Sequence, residues 1–247
     1  MKKPQDVAVI TGAASGIGKA VAEILAGRGI TVCITDINLK AAEAVCASLQ
    51  NGGHSAFAWQ IDVTDSASVA KTFEEIAQQA GPVTMLITSA GVPGHGAVSE
   101  LSDQLWSRVL SVNLDGVFFC MREALKQMLP ARQGIIVNIS SICGMAGCAS
   151  SPSYSAAKAG VIGLSKSVAR RHTEEGIRIN VVAPGVTDTP FVEPDRKMGK
   201  LAKGIEKIPM GRMGTAAEIA EVIAFLCSDS APFLTGQVIS PNGGQMI

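Results

Sequence analysis

The 247 residues read as an α/β chain: a seven-stranded, mostly parallel sheet, doubly wound, with helices on both faces. Three observations lead there. Short β-branched runs alternate with longer helical stretches along the whole chain, the pattern of parallel strands joined by crossover helices. Hydrophobic residues make up 47% of the chain but aromatics only 4%, so the interior is Val, Ile, Leu and Ala, the filling of a sheet buried on both faces. A glycine-rich turn separates the first strand pattern from the first helix pattern, and in a doubly wound sheet such a turn sits at the ligand crevice.

Strands are expected at Val7–Ile10, Thr31–Thr35, Ala56–Ile61, Val83–Thr88, Gly134–Ile139, Arg178–Val182 and Val238–Ser240. Helices are expected at Ile17–Gly27, Leu39–Gln50, Ser66–Ala80, Leu101–Leu129, Ser153–Glu174 and Ala216–Ser228. With no linker, repeat or low-complexity run, residues 1–247 form one expected domain. Its irregular stretch, about 187–213, holds Pro190, Pro194 and Pro209 and is expected to cover the substrate as a lid. The two longest helices carry small or apolar residues on more than one face, so each needs a second partner besides the sheet.

Lys+Arg and Asp+Glu number 21 each, which gives no electrostatic reason to seek nucleic acid or an anionic membrane. The basic start is followed by an apolar run of only Val7–Ile10, too short for a secretory signal, and no run is long enough to span a bilayer. A cytoplasmic protein is expected. The six cysteines form no C-x-x-C pair and no His-rich cluster, so reduced, mostly buried thiols and no metal site are expected.

The turn runs Thr11-Gly12-Ala13-Ala14-Ser15-Gly16-Ile17-Gly18. Gly12 permits a sharp bend, while Gly16 and Gly18 admit a pyrophosphate and the neighbouring strand to the backbone. The following helix N-terminus presents N–H groups to phosphate. The second strand ends at Asp36, 18 residues after Gly18. A carboxylate there accepts from ribose hydroxyls and repels a 2′-phosphate, and Ser15, Ile37 and Asn38 bring no positive charge, so NAD is the expected cofactor. Asp36 can also be read as the cap of the next helix.

Tyr154 and Lys158 stand in Ser153-Tyr154-Ser155-Ala156-Ala157-Lys158. At i and i+4 they share a helix face, where an ammonium can favour the phenolate and bring its pKa toward neutral pH. Ser141 lies 13 residues before Tyr154, just beyond the fifth strand, with Ser140 as its competitor. A hydroxyl there can hold a substrate oxygen.

The Gly-x-x-x-Gly-x-Gly spacing with Tyr-x-x-x-Lys resembles the short-chain dehydrogenase/reductase family over essentially the whole chain. The resemblance implies a Rossmann-type fold and a homotetramer. It implies an oxidoreductase that interconverts a secondary alcohol (a small polyol, sugar or hydroxy acid) and a ketone. Tyr154 is then the acid/base, Ser141 holds the substrate oxygen, and Asn113 breaks its helix and binds a water that relays protons to Lys158. Asp62, with Val63, meets the adenine, or else Asp62 is a turn residue. Ala90-Gly91 lets the cofactor approach, and Pro184, Gly185, Thr187 and Thr189 face the nicotinamide end. His95, Cys143, Cys148 and Phe191 are candidates for the substrate pocket, His95 also reading as a solvated loop residue. Thr88-Ser89 replaces the family's Asn-Asn, which puts local bracing in doubt. The alternative is an NADPH-dependent 3-oxoacyl-[acyl-carrier-protein] reductase: Arg132 suits an acidic carrier, but Glu175 does not, and Asp36 argues against NADPH.

Overall fold

The computed structural model describes residues 6–246 apart from Met198 and Lys200. The first half runs β1 (Val7–Thr11), α1 (Gly16–Gly27), β2 (Thr31–Asp36), α2 (Leu39–Asn51), β3 (Ala56–Gln60), α3 (Ser66–Gln79) and β4 (Met85–Thr88). Then come α4 (Asp103–Leu110), α5 (Gly116–Ala131), β5 (Gly134–Ile139), α6 (Ile142–Ala146), α7 (Pro152–His172) and β6 (Ile177–Val182). The chain closes with β7 (Thr187–Asp188), α8 (Glu193–Lys197), α9 (Leu201–Ile205), β8 (Gly214–Thr215), α10 (Ala216–Leu226) and β9 (Val238–Ile239).

Seven strands form one sheet in the order β3-β2-β1-β4-β5-β6-β9, and every neighbouring pair is parallel. This is the doubly wound fold. Strand order reverses direction between β1 and β4, so the crevice opens past their C-terminal ends. Alternation along β1 divides the core as a strand period of two requires. Ala8 and Ile10 join Leu25, Ile34, Ile87 and Ile223 on one face. Val7 and Val9 join Phe73, Leu86, Met121 and Ile179 on the other.

Several elements depart from expectation. β4 starts at Met85 rather than Val83, because Thr84 answers the Val7 N–H with its side-chain Oγ1 (3.0 Å). The helix expected at 101–129 is two helices, α4 and α5, joined by a π-helical turn at Ser111–Asp115. The stretch 187–213 is not irregular. It contains α8 and α9, and β7 pairs in parallel with β8, Thr187 against Gly214 and Asp188 against Thr215, tying the base of the segment.

The doubt over bracing at Thr88-Ser89 is resolved by hydroxyls. Thr88 Oγ1 donates to Asn138 Oδ1 (2.8 Å), which links β4 to β5. Thr11 Oγ1 accepts from the backbone N–H groups of Ser89 (3.1 Å) and Ala90 (3.2 Å), which links β1 to the loop after β4. Asn138 is fully buried and its amide also donates to Ser165 Oγ on α7 (2.9 Å) and to Met121 Sδ on α5 (3.1 Å). Asn138→Leu strands the Thr88 hydroxyl without its acceptor and is expected to cost about 1–3 kcal/mol, the range for orphaned buried polar groups. Urea denaturation measures this; an unchanged midpoint would mean the bonds stabilise nothing.

Candidate active site

The glycine-rich turn packs as tightly as its residues suggest. Gly12 has φ +64°, and a Cβ on it would stand 2.7 Å from Ala90 Cα; one on Gly18 would stand 2.5 Å from Gly12 O. Gly16, at φ +55°, faces Thr189, whose Cβ lies 3.4 Å from where a Cβ would be. The turn after β1, the loop after β4 and the segment after β6 therefore converge. Ser15 begins α1 without spending its side chain on a cap, and the first turn holds no acidic residue. The N-terminal N–H groups face the crevice without a local anion. Ile17 packs against the core beneath.

Asp36 lies where β2 ends. Its Oδ2 accepts from Ala14 N (3.1 Å) and its Oδ1 from Asn38 N (3.0 Å), so the carboxylate is fixed beside the turn. It is not the cap of α2: Asn38 is, accepting from Ala41 N. Asp62 behaves as a turn residue, its Oδ1 accepting from Thr64 N (2.9 Å) and Thr64 Oγ1 (2.7 Å). Val63 is buried, against Gly116.

Ser141 begins α6, and its Oγ accepts from Cys143 N (3.1 Å), while its polar group draws the Tyr154 phenol downward. Ser140 does not compete, since its buried hydroxyl donates to Lys158 O (2.8 Å). Lys158 is buried on α7 and its Nζ donates to Ile139 O (2.9 Å), 5.6 Å from the centre of the Tyr154 ring. Burial alone brings its amine down to about 8. The Tyr154 phenol is pushed up to about 12 by burial, with the Ser141 hydrogen bond pulling the other way. In the chain by itself, Lys158 Nζ is engaged by the Ile139 carbonyl, and burial is the dominant influence on the phenol.

Asn113 lies in the π turn and is fully buried, which excludes an exposed helix position. Its Nδ2 donates to Val109 O (2.9 Å) and Val92 O (3.0 Å), and its Oδ1 accepts from Val92 N (3.3 Å). The extra residue of the turn frees the Val109 carbonyl that this amide fills. A Cβ on Gly91 would stand 2.8 Å from Asn113 Oδ1 and 3.9 Å from Lys158 Nζ, so Gly91 is the gap through which these groups approach. After β6, Pro184 O accepts from Ile142 N (3.1 Å), Gly185 N donates to Pro241 O (3.1 Å), and Thr187 Oγ1 donates to Gly185 O (3.0 Å). Thr189 Oγ1 donates to Thr187 O (3.4 Å).

Two expectations are corrected at the rim. His95 is not a solvated loop residue: its Nδ1 meets Ser151 Oγ (3.2 Å) and its Nε2 lies 3.7 Å from Asp195 Oδ2 on α8. Cys143 and Cys148 are not thiols but a disulfide. A Cβ on Gly144 would stand 2.6 Å from the Lys158 backbone, so only glycine lets α6 lie flat on α7 and fold the two cysteines together. Cys33, Cys46, Cys120 and Cys227 are buried free thiols, as expected. Phe191 packs its ring 5.6 Å from that of Tyr154, bringing the 187–213 segment over the phenol. Sequence reasoning missed Ser151 and Asp195, which carry no motif; Asn242, standing where the family more often has Asp, ties Ser240 to Met246 through its amide beneath Gly185. No cluster able to hold a metal ion and no helix long and apolar enough to cross a membrane occurs among the described residues.

The glycine turn after β1 and the Ser141, Tyr154 and Lys158 side chains suit an oxidoreductase working with a nicotinamide cofactor, the class to which the following relatives belong. Residues 12–245 match the family model described as enoyl-(acyl carrier protein) reductase. The chain is 44% identical over 241 residues (96% of this chain, 95% of the relative) to cis-4-hydroxycyclohexanecarboxylate dehydrogenase of Sinomonas cyclohexanicum. It is 38% identical over 241 residues (96% of each) to the 3-oxoacyl-[acyl-carrier-protein] reductase FabG of Escherichia coli (strain K12). The crystal structure of gox2181 superposes with a TM-score of 0.95 at 32% identity, covering 98% of this chain and 96% of that one. The chain belongs to the short-chain dehydrogenase/reductase family.

Proposed function

We propose that this protein is an NAD(H)-dependent dehydrogenase that interconverts a small secondary alcohol and its ketone, with Tyr154 as acid/base. The observation that carries the reading is the gathering of Tyr154, Ser141 and Lys158 past the C-terminal end of β5, beside the crossing point of the sheet. The two hydroxyls can hold one substrate oxygen between them. Ser141, whose Oγ already accepts from Cys143 N, keeps its own proton to donate to that oxygen. Tyr154 exchanges the proton with it, and Lys158, with Asn113 behind Gly91, lies on the path by which that proton leaves.

The residues fit a dinucleotide. Gly12, Ser15, Gly16, Ile17 and Gly18 would receive the pyrophosphate, Asp36 the adenosine ribose, and Asp62 and Val63 the adenine. Ala90, Gly91, Tyr154 and Lys158 would border the nicotinamide ribose, and Pro184, Gly185, Thr187 and Thr189 the carboxamide. When bound, the nicotinamide supplies the hydride-accepting carbon. The fixed Asp36 carboxylate, with Ser15 and Ile37 uncharged, favours NAD over NADP. His95, Cys143, Cys148 and Phe191 would wall the substrate, with residues 187–213 as lid. The relative named for a hydroxycyclohexanecarboxylate supports a small hydroxy acid as substrate. Exposed Phe118, Phe225 and Phe233 agree with assembly, by our reading a cytoplasmic homotetramer.

A carrier-protein reductase is the second reading, favoured by the relatives of that name. Against it, Arg132 Nη2 is spent on Glu174 O (2.6 Å), and Glu175 pairs with Arg171 and His172, leaving a face of mixed charge. Absorbance at 340 nm decides between them. Oxidation of hydroxy acids, polyols or cyclic alcohols with NAD, and weakly with NADP, supports the dehydrogenase. Reduction of a 3-oxoacyl thioester with NADPH as the preferred activity would replace it.

A further inference from the structure

We propose that the Cys143–Cys148 disulfide is a positioning element of the active site and makes the enzyme redox-sensitive; this rests on the dehydrogenase reading above. The bond closes a loop across five positions that begins two residues after Ser141. Each half is wired to the chemistry. The Cys143 N–H orients the Ser141 hydroxyl (3.1 Å), the group that acts on the Tyr154 phenol. The Cys148 N–H donates to Ser155 Oγ (2.9 Å), next to Tyr154 on α7, and Ser155 Oγ donates on to Ser151 O (2.9 Å). The cross-link therefore clips the segment carrying the serine to the start of the helix carrying the tyrosine. Between the cysteines, α6 is a single turn containing Gly144, followed by Gly147 at φ +79°. One turn with two glycines has little stability of its own, so the covalent link supplies the order.

Accessibility confines the exchange to this pair. Met145, Ala146 and Gly147 are exposed and both cysteines are partly exposed. The other four cysteines are buried, and burial pushes their thiols up, away from the reactive thiolate. A thiolate of a small dithiol attacks one sulfur, the S–S bond breaks and the other cysteine leaves as a thiolate. The reductant's second thiol then resolves the mixed disulfide. Two electrons and two protons pass to Cys143 and Cys148, and the dithiol becomes its own disulfide. Hydrogen peroxide reverses the step and gives two waters.

The test compares oxidised enzyme, dithiothreitol-treated enzyme and Cys143→Ser/Cys148→Ser. Intact mass after alkylation counts the accessible thiols, steady-state kinetics separates KM from kcat, and NADH fluorescence measures cofactor binding. We expect two alkylatable thiols to appear on reduction and the alcohol KM to rise about tenfold, the size of one lost positioning contact. NADH affinity should hold within twofold. Peroxide should restore the KM, and the double variant should sit at the reduced value and ignore dithiothreitol. Free thiols at 143 and 148 after peroxide treatment would overturn the proposal, as would unchanged kinetics on reduction. A double variant that still responds to dithiothreitol would do the same. Should no alcohol turn over in either redox state, the dehydrogenase reading fails instead, and hydrogen exchange decides the clip: amides 143–148 must exchange faster on reduction, or it fails too.

Discussion

Tyr154→Phe is expected to lower kcat for alcohol oxidation by about 10²–10⁴-fold, the range for a positioned acid/base, while NADH still binds. The fluorescence of bound NADH and the 340 nm rate measure the two halves; a variant keeping a tenth of the activity would remove Tyr154 from the chemistry. The chain contains one tyrosine, so absorbance at 295 nm titrates that phenol alone. In the protein without cofactor the midpoint is expected near 12, against an ordinary 10.0, read by pH jump before unfolding. A midpoint at or below 10 would show that Lys158 dominates over burial after all. The linked stabilities have opposite signs. Between pH 10 and 12 the unfolded chain ionises its tyrosine while the folded chain keeps the proton, so Tyr154 costs stability as pH rises. Lys158, brought from 10.5 down to about 8, has shed its proton in the folded chain across a window where the unfolded chain keeps it. Its contribution therefore climbs as pH rises from about 8 to 10.5. Lys158→Met removes that rise and leaves the fall above pH 10.

Asp36→Ala is expected to raise the KM for NAD by about 10–100-fold, since a hydrogen bond to a charged group is worth about 1.5–3 kcal/mol. NADP gains as the repulsion of its 2′-phosphate disappears, so the preference ratio moves further than either constant. The fold should hold, because the two N–H groups that Asp36 accepts from, on Ala14 and Asn38, stand at the mouth of the crevice within reach of water. Parallel NAD and NADP saturation curves check this. An unaltered ratio would mean the adenosine lies elsewhere.

The sheet was legible because its signal is local: β-branched runs and glycine turns declare strands wherever the chain puts them. Tyr154, Lys158, Ser141 and Gly12 were legible for the same reason, as spaced motifs on one element or at its end. The rest depended on contacts that spacing does not encode. His95, Ser151 and Asp195 meet from three separate segments. The disulfide follows from Gly144 seating α6 on α7, and no rule of cysteine spacing announces it. A sequence shows the charge four residues from the phenol but not the burial that acts against it.

The Thr88–Asn138 hydrogen bond has a historical consequence. A hydroxyl donor and an amide acceptor, 2.8 Å apart in a space sealed from water, make a matched pair across β4 and β5. Because the two side chains share one hydrogen bond, the effects of changing them are expected not to add, which a double-mutant cycle on Thr88→Val and Asn138→Leu measures. A lineage exchanging this pair for another must pass through a weakened intermediate or change a third neighbour first, Ser165 or Met121. The mutational routes open at this point of the sheet are therefore constrained by the shared bond.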